Sequence, residues 1–133
     1  MIRAADINPL GLNWERFLVA EDRGQIVGIG QIKPHGDGSM ELASIAVIPE
    51  RQNQGIASQL IKTLIATESG TLHLMCRQAL EGFYTRFGFR RINRDEMPRY
   101  FRRMVRLAAV FISVASMFGE ERIELIVMRR DVT

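Results

Sequence analysis

Cysteine is almost absent from this chain: Cys76 stands alone among 133 residues, so no disulfide can form within it. A lone thiol excludes a disulfide-stapled scaffold and fits a reducing compartment. Lysine is scarce as well. Lys33 and Lys62 are the two present, so arginine carries nearly all the positive charge behind a net +3 and a pI near 9.6. Long hydrophobic runs are missing too. Residues 107–118 are apolar apart from two serines, but a bilayer span needs about 20 such residues, so no transmembrane segment is expected. The start, Met1-Ile2-Arg3-Ala4-Ala5-Asp6, meets charge and then Pro9 and Gly11 before a signal-peptide stretch can develop, and a cytoplasmic location is the expectation. No repeat or Gly-, Ser- or Pro-rich linker divides the sequence. One domain over 1–133 is expected, with 47% hydrophobic residues to build its core.

What is present is concentrated late. Arg86, Arg90, Arg91, Arg94, Arg99, Arg102, Arg103 and Arg106 crowd one segment, which suits a phosphate-bearing ligand, an acidic protein, an anionic membrane surface or simply a solvated helix face. No nucleic-acid-binding motif accompanies the charge, so nucleic acid is not an expected partner.

The punctuation predicts alternating elements. Residues 2–4 read as a first strand, and 8–14 as a short turn-rich stretch. Residues 16–20 and 25–32 are β-prone runs separated by Glu21-Asp22-Arg23-Gly24, a hairpin signal. A third run, 40–48, follows a Pro- and Gly-rich turn and stops at Pro49. Ile56, Leu60, Ile61, Leu64 and Ile65 recur at steps of three and four, which predicts a helix over 54–66. Residues 71–75 then read as a buried strand, 80–87 as a short helix closed by Gly88, and 89–92 as strand. A longer helix begins at Pro98 and ends at Gly119. Residues 122–128 supply the last strand. The apolar 107–118 half of that helix is expected to be buried or to face a partner.

The stretch that carries chemistry is strand, then Pro49-Glu50-Arg51-Gln52-Asn53-Gln54-Gly55-Ile56-Ala57-Ser58, then helix. A helix start offers unpaired N–H groups backed by the positive end of the dipole. Gly55 lets a ligand approach the backbone closely and Ala57 adds almost no bulk, so a pyrophosphate suits this turn. The other common phosphate loop is excluded because no Gly-Lys-Ser or Gly-Lys-Thr follows.

Gln52-Asn53-Gln54-Gly55-Ile56-Ala57 resembles the coenzyme A loop of the GNAT acyltransferase superfamily, and Glu81-Gly82-Phe83-Tyr84-Thr85-Arg86-Phe87-Gly88-Phe89 resembles its aromatic-Tyr segment ending in Gly-Phe. With the strands between and around them, the two motifs cover about residues 40–92. The resemblance implies an α/β (α+β) single-domain fold: a mixed, twisted sheet of six or seven strands, flanked by helices, splayed at a cofactor cleft between the strand ending near Ile48 and the strand 71–75. An extra helix precedes the last strand. It also implies transfer of an acetyl group from acetyl-coenzyme A to a primary amine in a ternary complex. The pantetheine arm would pair with the backbone of Ile45, Ala46, Val47 and Ile48, the pyrophosphate would reach Gln54 to Ala57 within a cofactor-binding stretch of Gln52, Asn53, Gln54, Gly55, Ile56, Ala57 and Ser58, and an N–H near Val47 would polarise the thioester carbonyl.

The same resemblance makes Tyr84 the acid that protonates the departing thiolate; the bland reading is packing with Phe83, Phe87 and Phe89. It makes Glu41 a candidate base acting through water, against a simple role at the solvent end of a strand. An acyl-cysteine route through Cys76 is rejected, because a buried cysteine is usually a small hydrophobe. His73 and Cys76 lack a second ligand pair, so no metal is expected. His35 and Trp14 are candidates for the acceptor wall, each with an ordinary surface or core role as the alternative. Where many members have asparagine seven residues before the tyrosine, this chain has Arg77. Asp95-Glu96-Met97-Pro98 is similar to the connection in acetyltransferase domains of the arginine-biosynthesis type, which acetylate glutamate. On that likeness Arg77, Arg99 or Arg102 would bind a substrate carboxylate. The leading acceptor is a small primary amine or amino acid; residues 8–14 are too short for the helix pair that commonly covers the acceptor groove, and an open groove favours the alternative, a protein N-terminus or lysine. A non-catalytic acyl-coenzyme A sensor, and a monomer or a homodimer, stay open.

Overall fold

A computed structural model describes residues 2–4, 17–68, 70–119 and 123–131. The stretch 8–14, Trp14 included, lies outside the described residues. The chain divides into two compact units, residues 1–33 with 40–70, and residues 34–39 with 71–133.

The first unit contains β1 (Ile2–Ala4), β2 (Phe17–Asp22), β3 (Gln25–Pro34), β4 (Met40–Val47) and α1 (Ile56–Thr67), with its strands in sequence order. β1 and β3 both flank β2 antiparallel, Ile2 opposite Ala20 and Phe17 opposite Gln31. The hairpin turn expected at 21–24 is tighter than its composition suggests. Arg23 and Gly24 alone make it, with φ of 53° and 80°, as the twist-matching two-residue hairpin requires; Glu21 and Asp22 remain in strand. Gln31 bonds Ser44 and the Ile48 N–H bonds the Val27 carbonyl, so β3 and β4 also run antiparallel.

Alternation along β2 sends Phe17 and Val19 to one face with Ile29, and Leu18 and Ala20 to the other with Val27 and Leu60. α1 packs on that second face through Leu60, Ile61 and Leu64, as its apolar spacing predicts. Two glycines in β3 make the room. A Cβ on Gly30 would come within 2.6 Å of Ile45 Cδ1 and 3.0 Å of Leu64 Cδ1, and one on Gly28 within 3.0 Å of Ile56 Cγ2.

The second unit contains the turn 34–39, β5 (Leu72–Arg77), α2 (Glu81–Thr85), β6 (Arg90–Ile92), α3 (Arg99–Ser116) and β7 (Leu125–Arg130). Its strand order is β5-β7-β6, with both pairs antiparallel. The last strand is therefore the inner one of the three, and Ile126, Val127 and Met128 are buried. Sequence reading places it at 122–128, because Arg129 and Arg130 look like a polar end. They belong to the strand because their backbone pairs with β5, Arg129 opposite His73 and Arg130 opposite Leu72, while Arg130 Nε donates to the Phe87 carbonyl at 2.9 Å and Arg129 Nε lies 2.8 Å from Asp131. Similarly, β5 runs on through Cys76 and Arg77. α3 docks by Phe101, fully buried with Ile92 and Val127 and flanked by Met75, Met97 and Val105.

The start of α3 is capped from a distant turn. Pro98, its cap residue, has no side chain able to accept a bond, and Asp37 Oδ2 instead accepts the Tyr100 N–H at 2.8 Å. Asp37 Oδ1 accepts the Ser39 hydroxyl at 2.6 Å and the Ser39 N–H at 2.9 Å. The Ser39 hydroxyl and the Tyr100 N–H together hold this carboxyl at about 2 instead of 3.8. Beside it, the His35 ring stacks on Tyr100 with centroids 3.4 Å apart and planes 14° from parallel. His73 is 7% exposed and 5.3 Å from Phe101, and neither of its ring nitrogens has a hydrogen-bond partner among the described residues. Burial, reinforced by the Arg129 charge, pushes its pKa below 6.5, so the ring is held neutral.

Asp37→Ala is expected to lower stability by about 1 kcal/mol, the usual cost of a lost cap, and no more, because the carboxylate is solvent-screened. Its contribution is full above pH 3.8 and disappears as pH falls through about 2. His73 acts earlier: above 6.5 its ring is neutral folded or unfolded and costs nothing, and as pH falls below 6.5 the unfolded chain takes up a proton that the buried ring resists, so stability drops. Urea midpoints against pH should show both limbs, with His73→Leu flattening the upper and Asp37→Asn the lower.

Candidate active site

The loop between β4 and α1 begins with a tight turn, Pro49–Arg51, and ends at Gly55, the cap residue of α1. Asn53 and Gly55 both take left-handed backbone, φ 64° and 82°. No side chain caps α1. Gln59 is the first residue whose N–H turns back into the helix, to the Gly55 carbonyl at 3.0 Å, so helix geometry leaves the N–H groups of Ile56, Ala57 and Ser58 without an intrahelical acceptor. A Cβ on Gly55 would meet nothing within 4 Å, so the approach to these amides is open within this unit.

The loop's own side chains hold it in place. Arg51 Nε donates to Gln54 Oε1 at 2.9 Å, and Arg51 Nη1 pairs with Asp22 at the β2–β3 hairpin, also at 2.9 Å. Gln52 Nε2 donates to the Val47 carbonyl at 3.1 Å and Gln54 Nε2 to the Glu50 carbonyl at 3.4 Å. Gln52 and Gln54 thus position the backbone, leaving the N–H groups of α1 as its outward-facing donors. Gln52, Asn53, Gln54 and Gly55 are exposed; Ile56, Ala57 and Ser58 are half-buried.

β4 carries a feature that sequence reasoning missed. Ser44 lies mid-strand with φ 60°, backbone that a non-glycine residue adopts only at a cost of about 1–3 kcal/mol. Its Oγ accepts a bond from Gln31 Nε2 at 2.9 Å, which helps to fix the kink. Backbone strain of this sort gathers at functional sites, and the residues that follow are Ile45, Ala46, Val47 and Ile48. The last three line a shallow apolar groove of about 240 Å³ with residues 26–29. No glycine marks position 44, so the pattern gave no signal. Glu41 is half-buried near the start of the strand, before the buried Leu42.

In the second unit, β5 leads through the turn Gln78–Leu80 into α2, which ends where the Phe87 and Gly88 N–H groups bond the Tyr84 and Thr85 carbonyls. Tyr84 is half-buried, edge-to-face with Phe83 at 5.1 Å and with Phe89 at 6.1 Å. Burial, with a smaller contribution from Cys76, raises its pKa above 10, so the phenol keeps its proton at neutral pH. Cys76 is buried and its pKa is also raised, by burial and then by Glu81. A thiol held in that state is a poor nucleophile, which agrees with rejecting an acyl-cysteine route. Tyr84 thus packs in an aromatic cluster with Phe83 and Phe89.

His35 is engaged in the Tyr100 stack, and Arg77 and Arg99 are exposed at the end of β5 and the start of α3. Asp37 and Tyr100, which hold His35 and the start of α3 together, were absent from the sequence candidates. Their only signal was the Pro- and Gly-rich turn, and its partner lies 63 residues away.

A family model described as an acetyltransferase (GNAT) domain matches residues 13–91, and the chain belongs to that family. Among curated relatives, an uncharacterized N-acetyltransferase of Chlorobaculum tepidum is 28% identical over 85 residues, 62% of this chain and 55% of that protein. The chain thus spans about half the length of that relative. Among solved structures, N-acetylglutamate synthase from Neisseria gonorrhoeae, complexed with coenzyme A and N-acetyl-glutamate, superposes with a TM-score of 0.69 at 19% identity, over 90% of this chain and 26% of that one. The ribosomal-protein-S18-alanine N-acetyltransferase of Escherichia coli gives 0.61 at 22%, over 90% and 71%. At these identities the likeness is one of fold, and the fold is the GNAT one.

Gly55→Ala is expected to cost about 1 kcal/mol. Space is free around the new methyl, so the whole loss comes from holding a β-carbon in left-handed backbone. Urea denaturation of the two proteins checks it.

Proposed function

We propose that this chain transfers an acetyl group from acetyl-coenzyme A directly to the primary amine of a small molecule or amino acid, as one catalytic domain over 1–133. The observation that carries the reading is the start of α1: three uncapped N–H groups beside an open glycine, at the position where the family's loop binds the cofactor's pyrophosphate. These residues fit the group. Gln52, Asn53 and Gln54 shape the turn, Gly55 admits the phosphates, and Ile56, Ala57 and Ser58 donate. The backbone of Ile45, Ala46, Val47 and Ile48 would hold the pantetheine arm. Acetyl-coenzyme A supplies the activated thioester, and no metal is required.

On this reading Tyr84 Oη carries the proton for the leaving thiolate. Its raised pKa keeps that proton in place until negative charge develops on sulfur. Glu41 takes the ammonium proton through water. Arg77 and Arg99, exposed cations in the second unit, would orient a carboxylate-bearing acceptor, a choice supported by similarity to a synthase complexed with N-acetyl-glutamate. Similarity to the S18-alanine N-acetyltransferase supports a second acceptor class, a protein N-terminus.

Saturating acetyl-coenzyme A is expected to raise the melting temperature, since a ligand at about 100 times its Kd adds ~2.7 kcal/mol; no shift removes the proposal. Tyr84→Phe should lower kcat about 10²-fold with little change in cofactor affinity. Glu41→Gln should shift the pH–rate profile. Thiol release measured across amino acids, small amines and N-terminal peptides assigns the acceptor, and silence across all of them, with the thermal shift intact, would leave a cofactor-binding protein without catalysis.

A further inference from the structure

The arginine-rich segment divides in two once it is folded. Arg90 is paired with Glu96 at 3.0 Å, and Arg91 lies 3.9 Å from Glu81 and 3.8 Å from Glu124. Arg94, Arg99, Arg102, Arg103 and Arg106 instead line one open cavity of about 380 Å³, with Asp95 the single acidic residue among them. No ion pair ties any of these five among the described residues. Guanidinium groups gathered around a concavity favour an anion that brings several oxygens.

A second cavity, about 240 Å³, shares Arg94, Arg102 and Arg106 but takes the rest of its lining from Met97, Val105 and Ala109. Charge and apolar surface therefore meet in one place. The same juxtaposition repeats along the helix. Arg99, Arg102, Arg103 and Arg106 are spaced as one stripe opposite the buried Phe101, and Val110, Val114 and Met117 continue that stripe, widened by Leu107, Phe111 and Phe118. This continuation is exposed: Leu107 57%, Phe111 74%, Met117 82% and Phe118 82%. A contiguous apolar patch at the end of a basic one is uncommon on a soluble surface and marks an interaction site.

We propose that this outward stripe of α3 seats the protein on an anionic lipid surface. Headgroup phosphates pair with Arg94, Arg102, Arg103 and Arg106, leaving Arg99 to an acceptor carboxylate, and Leu107, Phe111, Val114, Met117 and Phe118 enter the boundary between headgroups and acyl chains. The division of charge along the axis sets an oblique pose. The centres of the basic and apolar stretches are about 15 Å apart at 1.5 Å per residue, enough to keep the arginines at phosphate depth while the C-terminal turns bury about 5–10 Å. Crossing is excluded for these residues, since no described helix is long and apolar enough to span. A nucleic-acid backbone would answer the arginines but leave the apolar turns in water. A second copy of the chain, packed antiparallel, would cover the apolar turns but leave the arginine cavity without an anion.

Flotation of the full chain with phosphatidylcholine vesicles, with and without phosphatidylglycerol, tests this. Binding is expected on the anionic vesicles, at least about tenfold above the neutral ones, and weaker at high salt. Arg102→Gln with Arg103→Gln should lower it about tenfold or more, and Phe111→Ser with Phe118→Ser should release the protein. These side chains are exposed, so unchanged thermal melts are expected to show that each variant is folded. Equal binding to neutral vesicles, or none to either, overturns the proposal whatever the variants do. So does a concentration-dependent dimer in sedimentation velocity that Phe111→Ser with Phe118→Ser dissolves, or retention by duplex DNA without vesicle binding.

Discussion

A helix cannot satisfy its own first N–H groups, and the way each of the two longer helices meets that constraint organises what this protein can do. α3 meets it from within: Asp37 reaches across from the turn 34–39 and accepts the Tyr100 N–H, with His35 stacked alongside. α1 leaves it unmet. Gly55 brings no side chain, and the neighbouring loop residues spend their amides and guanidinium on one another and on the Val47 and Glu50 carbonyls. One helix start therefore carries a side-chain acceptor on its Tyr100 N–H, and the other carries none, in a loop held by its own side chains. That second condition is what binding phosphate at a helix end demands.

Fixing the loop matters as much as leaving its donors open. A flexible turn loses conformational entropy each time it orders around a ligand, whereas one already tied to the β2–β3 hairpin through Arg51 and Asp22 has lost it on folding. The kink at Ser44 belongs to the same preparation. It stores backbone strain just before Ile45, in the strand that leads into the loop.

Charge is divided with the same logic. Arg90, Arg91, Arg129 and Arg130 answer carboxylates or a carbonyl and knit β6 and β7 into the second unit. The arginines of Arg94–Glu96 and the first turns of α3 have no such duty and surround open space. Net charge alone shows neither group, because the two differ in their neighbours and not in their chemistry.

Spacing and punctuation along the chain were enough for the order of elements, the hydrophobic face of α1, the glycine that closes α2, and the two motifs that carry the family resemblance. Each is a local matter of spacing, turn chemistry or helix ends, readable within a window of about a dozen residues. Tertiary structure alone decided the rest. It extended β7 through Arg129 and Arg130, because their backbone pairs with His73 and Leu72 of β5. It kinked β4 at a serine with no glycine to announce it. It capped α3 with Asp37 from 63 residues away, and it left the apolar half of α3 exposed where length and composition were equally consistent with burial. For the strand extension and the cap the deciding neighbour lies far along the chain, and a linear pattern holds no information about what will arrive there.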